Sequence, residues 1–325
     1  MGMLVEGQWV DDSAMRRGGF HRPDAPLRNW VTADGSSGFK AEAGRYHLYI
    51  SYACPWAHRA LIVRRLKKLE DAISLSVVDW HMTDDGWHFS DRDGAIPDPN
   101  VGAKFLREVY IASDPAYTGR VTVPVLWDKK TGVIVNNESS EIIRMFNDAF
   151  STFDDASLDL YPADKRAEID ALNDVIYDTL NNGVYKCGFG GGQVFYEESF
   201  DALFATLDDI ERRLARQRYL VGDVPTEADW RLFPTLVRFD AVYFGHFKCN
   251  LRRIADYPHL SNYLRDLYQT PGIAETVNMH HIKSHYYHSH TSINPTGIVP
   301  KGPALDLDTP HDRGRFADDT LRAAG

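Results

Sequence analysis

The spacing of apolar residues changes along this chain of 325 residues and divides it into two regions. Up to about residue 150, short runs rich in strand formers alternate with helical spacing. Tyr46-His47-Leu48-Tyr49-Ile50-Ser51-Tyr52, bounded by Gly44, reads as a first strand. Ile62, Leu66 and Leu69 then fall at helical spacing among Arg64, Arg65, Lys67 and Lys68. Ser74-Leu75-Ser76-Val77-Val78-Asp79 reads as a second strand, and residues 80–120 as a long insertion. A loop of that length inside a compact domain is usually functional. Val121–Asp128 is a strand interrupted by Pro124, a residue not expected inside a central strand. A cis Val123–Pro124 bond would place a turn there and expose the Val123 backbone. The turn Asp128–Gly132 leads to Val133-Ile134-Val135, a hairpin, and Asn136–Glu141 opens a helix carrying Ile142, Ile143 and Phe146. The predicted order is strand, helix, strand, insertion, strand, strand, helix.

From about residue 160 the pattern is helical, over 163–182 and 197–217, with Leu203, Leu207, Ile210 and Leu214 as one core stripe. Thr226-Glu227-Ala228-Asp229 reads as a capping box ahead of a buried helix through Leu232, Leu236 and Phe239. Further helices are expected near 258–270 and 272–282. The expected domains are an N-terminal extension (1–45), a strand-and-helix domain (46–150), an all-helical domain (160–284) and a loop-like C-terminal tail (285–325).

Composition narrows the class. A hydrophobic content of 43% suits a globular protein of about two domains. With 36 basic and 46 acidic residues the net charge is −10, which argues against nucleic acid or a polybasic membrane contact. No long uncharged apolar stretch and no signal-peptide pattern is visible. The three cysteines, Cys54, Cys187 and Cys249, form no C-x-x-C pair and no disulfide framework, so a reducing, cytoplasmic location is expected.

One cysteine carries candidate chemistry. In Tyr52-Ala53-Cys54-Pro55-Trp56-Ala57-His58-Arg59 the thiol stands where the first strand meets a helix. Pro55 suits the first helical turn, where its missing N–H costs nothing. Cys54 is thereby left at the helix N-terminus, near free N–H groups and the positive end of the dipole. Such a position can lower a thiol pKa from about 8.5 into a range of roughly 3.5–7.5. The competing reading is a buried structural cysteine. Position 57 is alanine, so no resolving thiol lies one turn along, and a redox cycle needs an external thiol or Cys187 or Cys249 brought close by folding.

These elements together resemble a glutathione transferase: a thioredoxin-like α/β N-terminal domain followed by an all-α C-terminal domain. Cys54-Pro55 after the first strand, Val123-Pro124 before the third, and Glu138-Ser139 opening the helix after the hairpin carry the likeness. A helix N-terminus with free N–H groups also suits a carboxylate. A narrower resemblance is to the Xi class, the glutathionyl-hydroquinone reductases, from about residue 40 to 303. It rests on the Cys54 motif, Gly86-Trp87-His88-Phe89, Gly119–Asp128, Asn137-Glu138-Ser139, Asn182–Phe189, His281-Ile282-Lys283-Ser284-His285-Tyr286-Tyr287, Ile293-Asn294-Pro295 and Gly297-Ile298-Val299-Pro300.

The resemblance implies glutathione as co-substrate, with no metal or prosthetic group, and a homodimer. By the family's pattern Val123 pairs with the cysteinyl part of glutathione and Glu138-Ser139 hold the γ-glutamyl group. Trp87 contacts glutathione, and Arg120 is the candidate partner of a glutathione carboxylate. Cys54 attacks the sulfur of a glutathionyl-hydroquinone, and Tyr185 and Tyr286 hydrogen-bond the ring oxygens. Read without the family, those tyrosines are ordinary packing residues. His281 and His285 are spaced i, i+4, which suits zinc, but no further ligand cluster accompanies them. The pocket rim or a solvated tail is the expected setting of the terminal histidines. Competing functions are an omega-type thiol transferase or dehydroascorbate reductase on the same Cys54, a non-catalytic binding module on the same scaffold, and a conventional conjugating transferase.

Overall fold

The computed structural model describes residues 2–11, 24–151, 153 and 158–316. Among these, one compact unit takes the N-terminal part of the chain through Leu158 together with Thr276–Val299. The other takes Asp159–Glu275 and the segment from Pro300 onward.

The first unit begins with a hairpin of β1 (Gly2–Val5) and β2 (Gln8–Asp11), followed by the short parallel pair β3 (Val31–Thr32) and β4 (Phe39–Lys40). Its main sheet holds β5 (Tyr46–Ile50), β6 (Ile73–Val77), β7 (Val125–Asp128) and β8 (Val133–Asn136) in the order β6-β5-β7-β8. β6 runs parallel to β5, and this pairing requires the crossover helix α1 (Pro55–Leu66). β7 is antiparallel to both β5 and β8. α2 (Leu106–Ser113) precedes β7, and α3 (Ser139–Asp148) follows β8 and packs on α1. This is the order predicted from the sequence. All five residues of β5 are buried, which accounts for its unalternated apolar run.

The Val123–Pro124 bond is cis, as expected, and the third strand begins only at Val125, because Pro124 has no N–H to give to a ladder. The N-terminal segment does more than lead in. The β1–β2 hairpin bonds Leu4 to Gly119 through both backbone groups and Gly7 N to Tyr117 O, which props the segment before Pro124. Asn29 N donates to Val135 O and Asn137 N to Leu27 O, so this segment covers the outer edge of β8.

The helical unit contains α4 (Arg166–Ile176), α5 (Gly183–Phe189), α6 (Gln193–Leu214), α7 (Glu227–Arg238) and α8 (Pro258–Tyr268). π-helical turns, Tyr177–Asn181 and Phe239–Tyr243, extend α4 and α7. The capping box stands: the Asp229 carboxylate accepts from Thr226 N at 2.7 Å and from Leu220 N at 2.9 Å. Cys187 and Cys249 are both buried in this unit.

The C-terminal helix differs from expectation. α9 spans Met279–Ser289 rather than 272–282, and it runs on through the stretch expected to be loop-like from His285. Asn278 sets its start by accepting the His281 N–H at 2.9 Å, after a turn through Gly272 and a 3-10 segment at Ala274–Thr276. α9 belongs to the sheet-containing unit.

Candidate active site

The site is built at the N-terminus of α1. Cys54 is its N-cap residue, with extended backbone (φ −78°, ψ 119°) and Pro55 in the first turn, as the sequence motif requires. The Cys54 side chain caps no backbone N–H of the helix. Its Sγ lies 3.5 Å from Val123 O, so the residue before the cis proline faces the thiol across 69 positions of sequence. The thiol is half-buried, unlike the buried Cys187 and Cys249.

α3 supplies a second helix N-terminus in the same unit. Glu138 is its N-cap, and its Oε1 accepts from Ser140 N at 2.9 Å, Ser140 Oγ at 2.8 Å and Ser139 Oγ at 3.4 Å. The loop into this cap is held by Asn136 Oδ1, which accepts Glu138 N at 2.7 Å. Arg59, buried on α1, joins the two helix starts: its guanidinium lies 4.6 Å over the Trp56 ring and donates to Ser139 Oγ at 3.4 Å. Neither the pattern nor the resemblance had singled out Arg59. A basic residue at the fifth position of a helix ordinarily reads as solvated.

The insertion carries Trp87. Its side chain is 9% exposed and stacks on the His285 ring at 4.8 Å between centroids and 23° between planes. Gly86, just before it, has φ +84°, and a Cβ there would stand 3.0 Å from the Trp9 ring. Glycine is therefore required for both the turn and the close approach. Arg120 is half-buried, and its carbonyl accepts from Tyr117 OH at 3.0 Å.

The two tyrosines have different settings. Tyr286 lies on α9 in the sheet-containing unit, 1% exposed, its ring 5.4 Å from His285 and 5.3 Å from His290. Tyr185 lies on α5 in the helical unit, half-buried beside Phe247 at 5.4 Å, Tyr243 at 6.1 Å and Phe189 at 6.3 Å. One unit thus holds Cys54, Trp87, Arg120, Val123, Glu138, Ser139 and Tyr286, and the other holds Tyr185.

Two of the terminal histidines bind the backbone of the insertion. The His281 Nε2 proton goes to Asp93 O at 2.7 Å and the His285 Nδ1 proton to Trp80 O at 2.8 Å. Burial lowers the His281 pKa. Among the described residues, no group of three or more His, Cys, Asp or Glu side chains is placed to hold a metal ion.

Comparison with known proteins fits this geometry. Residues 53–149 match the model of the glutathione S-transferase N-terminal domain, and residues 193–266 that of the C-terminal domain. A Xi-class glutathione transferase from Natrialba magadii superposes with a TM-score of 0.93 at 51% identity, covering 97% of each chain. The chain belongs to the Xi class of the glutathione transferase family. The glutathione-bound structure of YqjG, a family homologue from Escherichia coli K-12, has a TM-score of 0.90 at 52% identity, covering 96% of this chain and 99% of that one. The glutathionyl-hydroquinone reductase PcpF of Sphingobium chlorophenolicum is 54% identical over 94% of this chain and 98% of its own length. This Xi-class chain has the family's α/β and all-α parts, and no described helix is long and apolar enough to cross a membrane.

Proposed function

We propose that this chain reduces glutathionyl-hydroquinones to hydroquinones at the expense of glutathione, with Cys54 as nucleophile. The observation that carries the reading is Cys54 Sγ at the start of α1, 3.5 Å from the carbonyl of Val123 before a cis proline. The likeness to PcpF, a glutathionyl-hydroquinone reductase, supplies the substrate class.

The chemistry runs in two thiol exchanges. An aryl thioether is a poor electrophile at sulfur, so the ring first takes a keto tautomer in which the C–S carbon is sp³. Cys54 thiolate attacks that sulfur, the C–S bond breaks, and its electron pair returns to the ring, which becomes the aromatic hydroquinone after proton transfer. Cys54 is left as a mixed disulfide with glutathione. A second glutathione thiolate attacks this disulfide, releasing oxidised glutathione and the Cys54 thiolate. An external thiol resolves the intermediate because position 57 is alanine.

Val123 O is the acceptor for the cysteinyl N–H of glutathione, the same carbonyl that takes the Cys54 S–H in the free protein. The Glu138 carboxylate takes the γ-glutamyl ammonium, and Ser139 with the first turn of α3 takes the γ-glutamyl carboxylate. Arg120 pairs with a second carboxylate of glutathione, and Trp87 gives it an apolar wall. The Tyr185 and Tyr286 hydroxyls hydrogen-bond the ring oxygens and favour the keto form. The chain works as a homodimer in the cytoplasm and needs no metal.

The test is turnover of the glutathionyl adduct of menadiol with excess glutathione, wild type beside Cys54→Ala. The reading expects menadiol and oxidised glutathione in equal amounts from wild type, and a loss on the order of 10³-fold or more in the variant. Wild type that captures labelled glutathione on Cys54 but releases no menadiol would replace it with the thiol-transferase reading. Separately, Tyr185→Phe with Tyr286→Phe should cripple turnover of the adduct and spare a simple disulfide substrate; equal loss on both would overturn the roles given to the tyrosines.

A further inference from the structure

We propose that His285 is a positioning residue for Trp87, fixing the indole plane against which glutathione binds. This rests on the assignment of Trp87 as a glutathione contact.

The argument begins with the register of α9. Residues 281, 285 and 289 are spaced i, i+4 and i+8 and so form one row along the helix. All three bond to the backbone of the insertion: His281 Nε2 to Asp93 O at 2.7 Å, His285 Nδ1 to Trp80 O at 2.8 Å, and Ser289 Oγ from Met82 N at 3.1 Å. The same row that invites a metal reading in sequence thus serves as a splint for residues 80–93. Gly94 marks how closely the two surfaces meet: with φ +83°, a Cβ there would lie 2.5 Å from His281 Nε2.

The splint also sets ring orientation. A carbonyl only accepts, so His285 carries its proton on Nδ1 toward Trp80 O. That bond fixes the imidazole plane, and the Trp87 indole lies against the plane at 4.8 Å and 23°. The Trp87 backbone is already anchored, with its carbonyl accepting from Leu106 N at 2.9 Å. An anchored backbone leaves the two side-chain torsions of a tryptophan open. The stack on His285 closes that choice, so the helix that carries Tyr286 also shapes the glutathione wall.

The experiment is a double-mutant cycle on glutathione affinity, measured by calorimetry in a Cys54→Ala background so that no mixed disulfide forms. Trp87→Ala is expected to weaken binding by about tenfold, and His285→Ala by about 3- to 10-fold. The decisive result is the double variant, which should bind no more weakly than Trp87→Ala alone, since His285 acts only through the indole. A merely structural histidine would weaken both backgrounds equally, and that result overturns the proposal, as does unchanged affinity in His285→Ala. If Trp87→Ala itself leaves affinity unchanged, the assignment of Trp87 has failed, and the proposal falls with it. Should His285→Ala not fold, His285→Asn, which keeps a donor toward Trp80 O, goes through the same cycle with the same criteria.

Discussion

α1 opens on Cys54, whose side chain caps no backbone N–H, whereas α3 opens on Glu138, whose carboxylate takes the Ser140 N–H at 2.9 Å and two serine hydroxyls besides. Both helices lie in the same unit, and both follow a strand of one sheet, β5 in the first case and β8 in the second. At α3 the N-cap side chain holds the first turn of its own helix. At α1 the sequence places a thiol, a poor cap, where Ser or Asp would stabilise the helix by about 1 kcal/mol. One end has no cap from its own side chain and the other is filled by its own side chain. Under the proposed function, the first end reacts and the second binds.

The largest test of this contrast is Cys54→Ser. A hydroxyl can cap α1 but cannot form the mixed disulfide. The variant should lose adduct reduction by a factor on the order of 10³ or more while gaining up to about 1 kcal/mol of stability. Thermal unfolding and turnover on one preparation check both halves. Lost activity with an equal or lower melting temperature would mean that the open end carries no strain of omission, and the contrast with α3 would be weaker than drawn.

Next in size is an acid effect at the strand that feeds α1. β5 carries His47, buried between Ser74 Oγ at 2.7 Å and Ser76 Oγ at 2.9 Å, whereas β8 carries no titrating side chain. Ser76 gives its own proton to Pro97 O at 2.8 Å, so His47 donates from Nε2, and Nδ1 receives the Ser74 proton. A second ring proton has no acceptor in that arrangement unless Ser74 turns. Burial, aided by the charges of Lys129 and Arg64 and opposed by Asp98, lowers the His47 pKa to about 4. The sign follows: the folded state refuses a proton that the unfolded chain accepts near pH 6.5, so stability is full above that pH and falls as acid is added toward pH 4. The loss amounts to about 3 kcal/mol once both states are protonated. Urea midpoints from pH 7 to 4 should fall less steeply in His47→Gln than in wild type. His246, in the helical unit, is also held down to about 4, so part of the acid sensitivity should survive the substitution. Identical slopes in the two proteins would show that His47 is protonated when folded.

What the sequence made legible follows from the range of the forces involved. Cys54-Pro55, the break at Pro124, the Asp128–Gly132 hairpin and the Thr226–Asp229 box are local chemistry, settled within a few residues, and each is present in the fold. The helix expected near 272–282 starts instead at Met279, because Asn278 caps it there. Arg59 reads as surface in a one-dimensional pattern, yet it is buried because Ser139, 80 positions later, folds onto it. The histidines of α9 gave a correct spacing and an uninformative meaning. The partners of His281 and His285 are the carbonyls of residues 93 and 80, and nothing in the pattern of either segment names the other.

The finest cut separates the two duties assigned to Glu138. Its Oε1 already holds the first turn of α3, so a charge that binds an ammonium and an oxygen that caps a helix are the same group. Glu138→Gln keeps an acceptor for Ser140 N and removes the charge. Glu138→Ala removes both. If the end of α3 binds glutathione, the glutamine variant should raise the KM for glutathione by about tenfold, the scale of a lost charge-assisted hydrogen bond, with a melting temperature near that of wild type. The alanine variant should match that KM and in addition lose about 1 kcal/mol of stability for the missing cap. Steady-state kinetics with thermal unfolding on the three proteins separates the terms. An unchanged KM in Glu138→Gln would leave Glu138 with the cap alone, and the binding end of the contrast would then have to rest on Ser139.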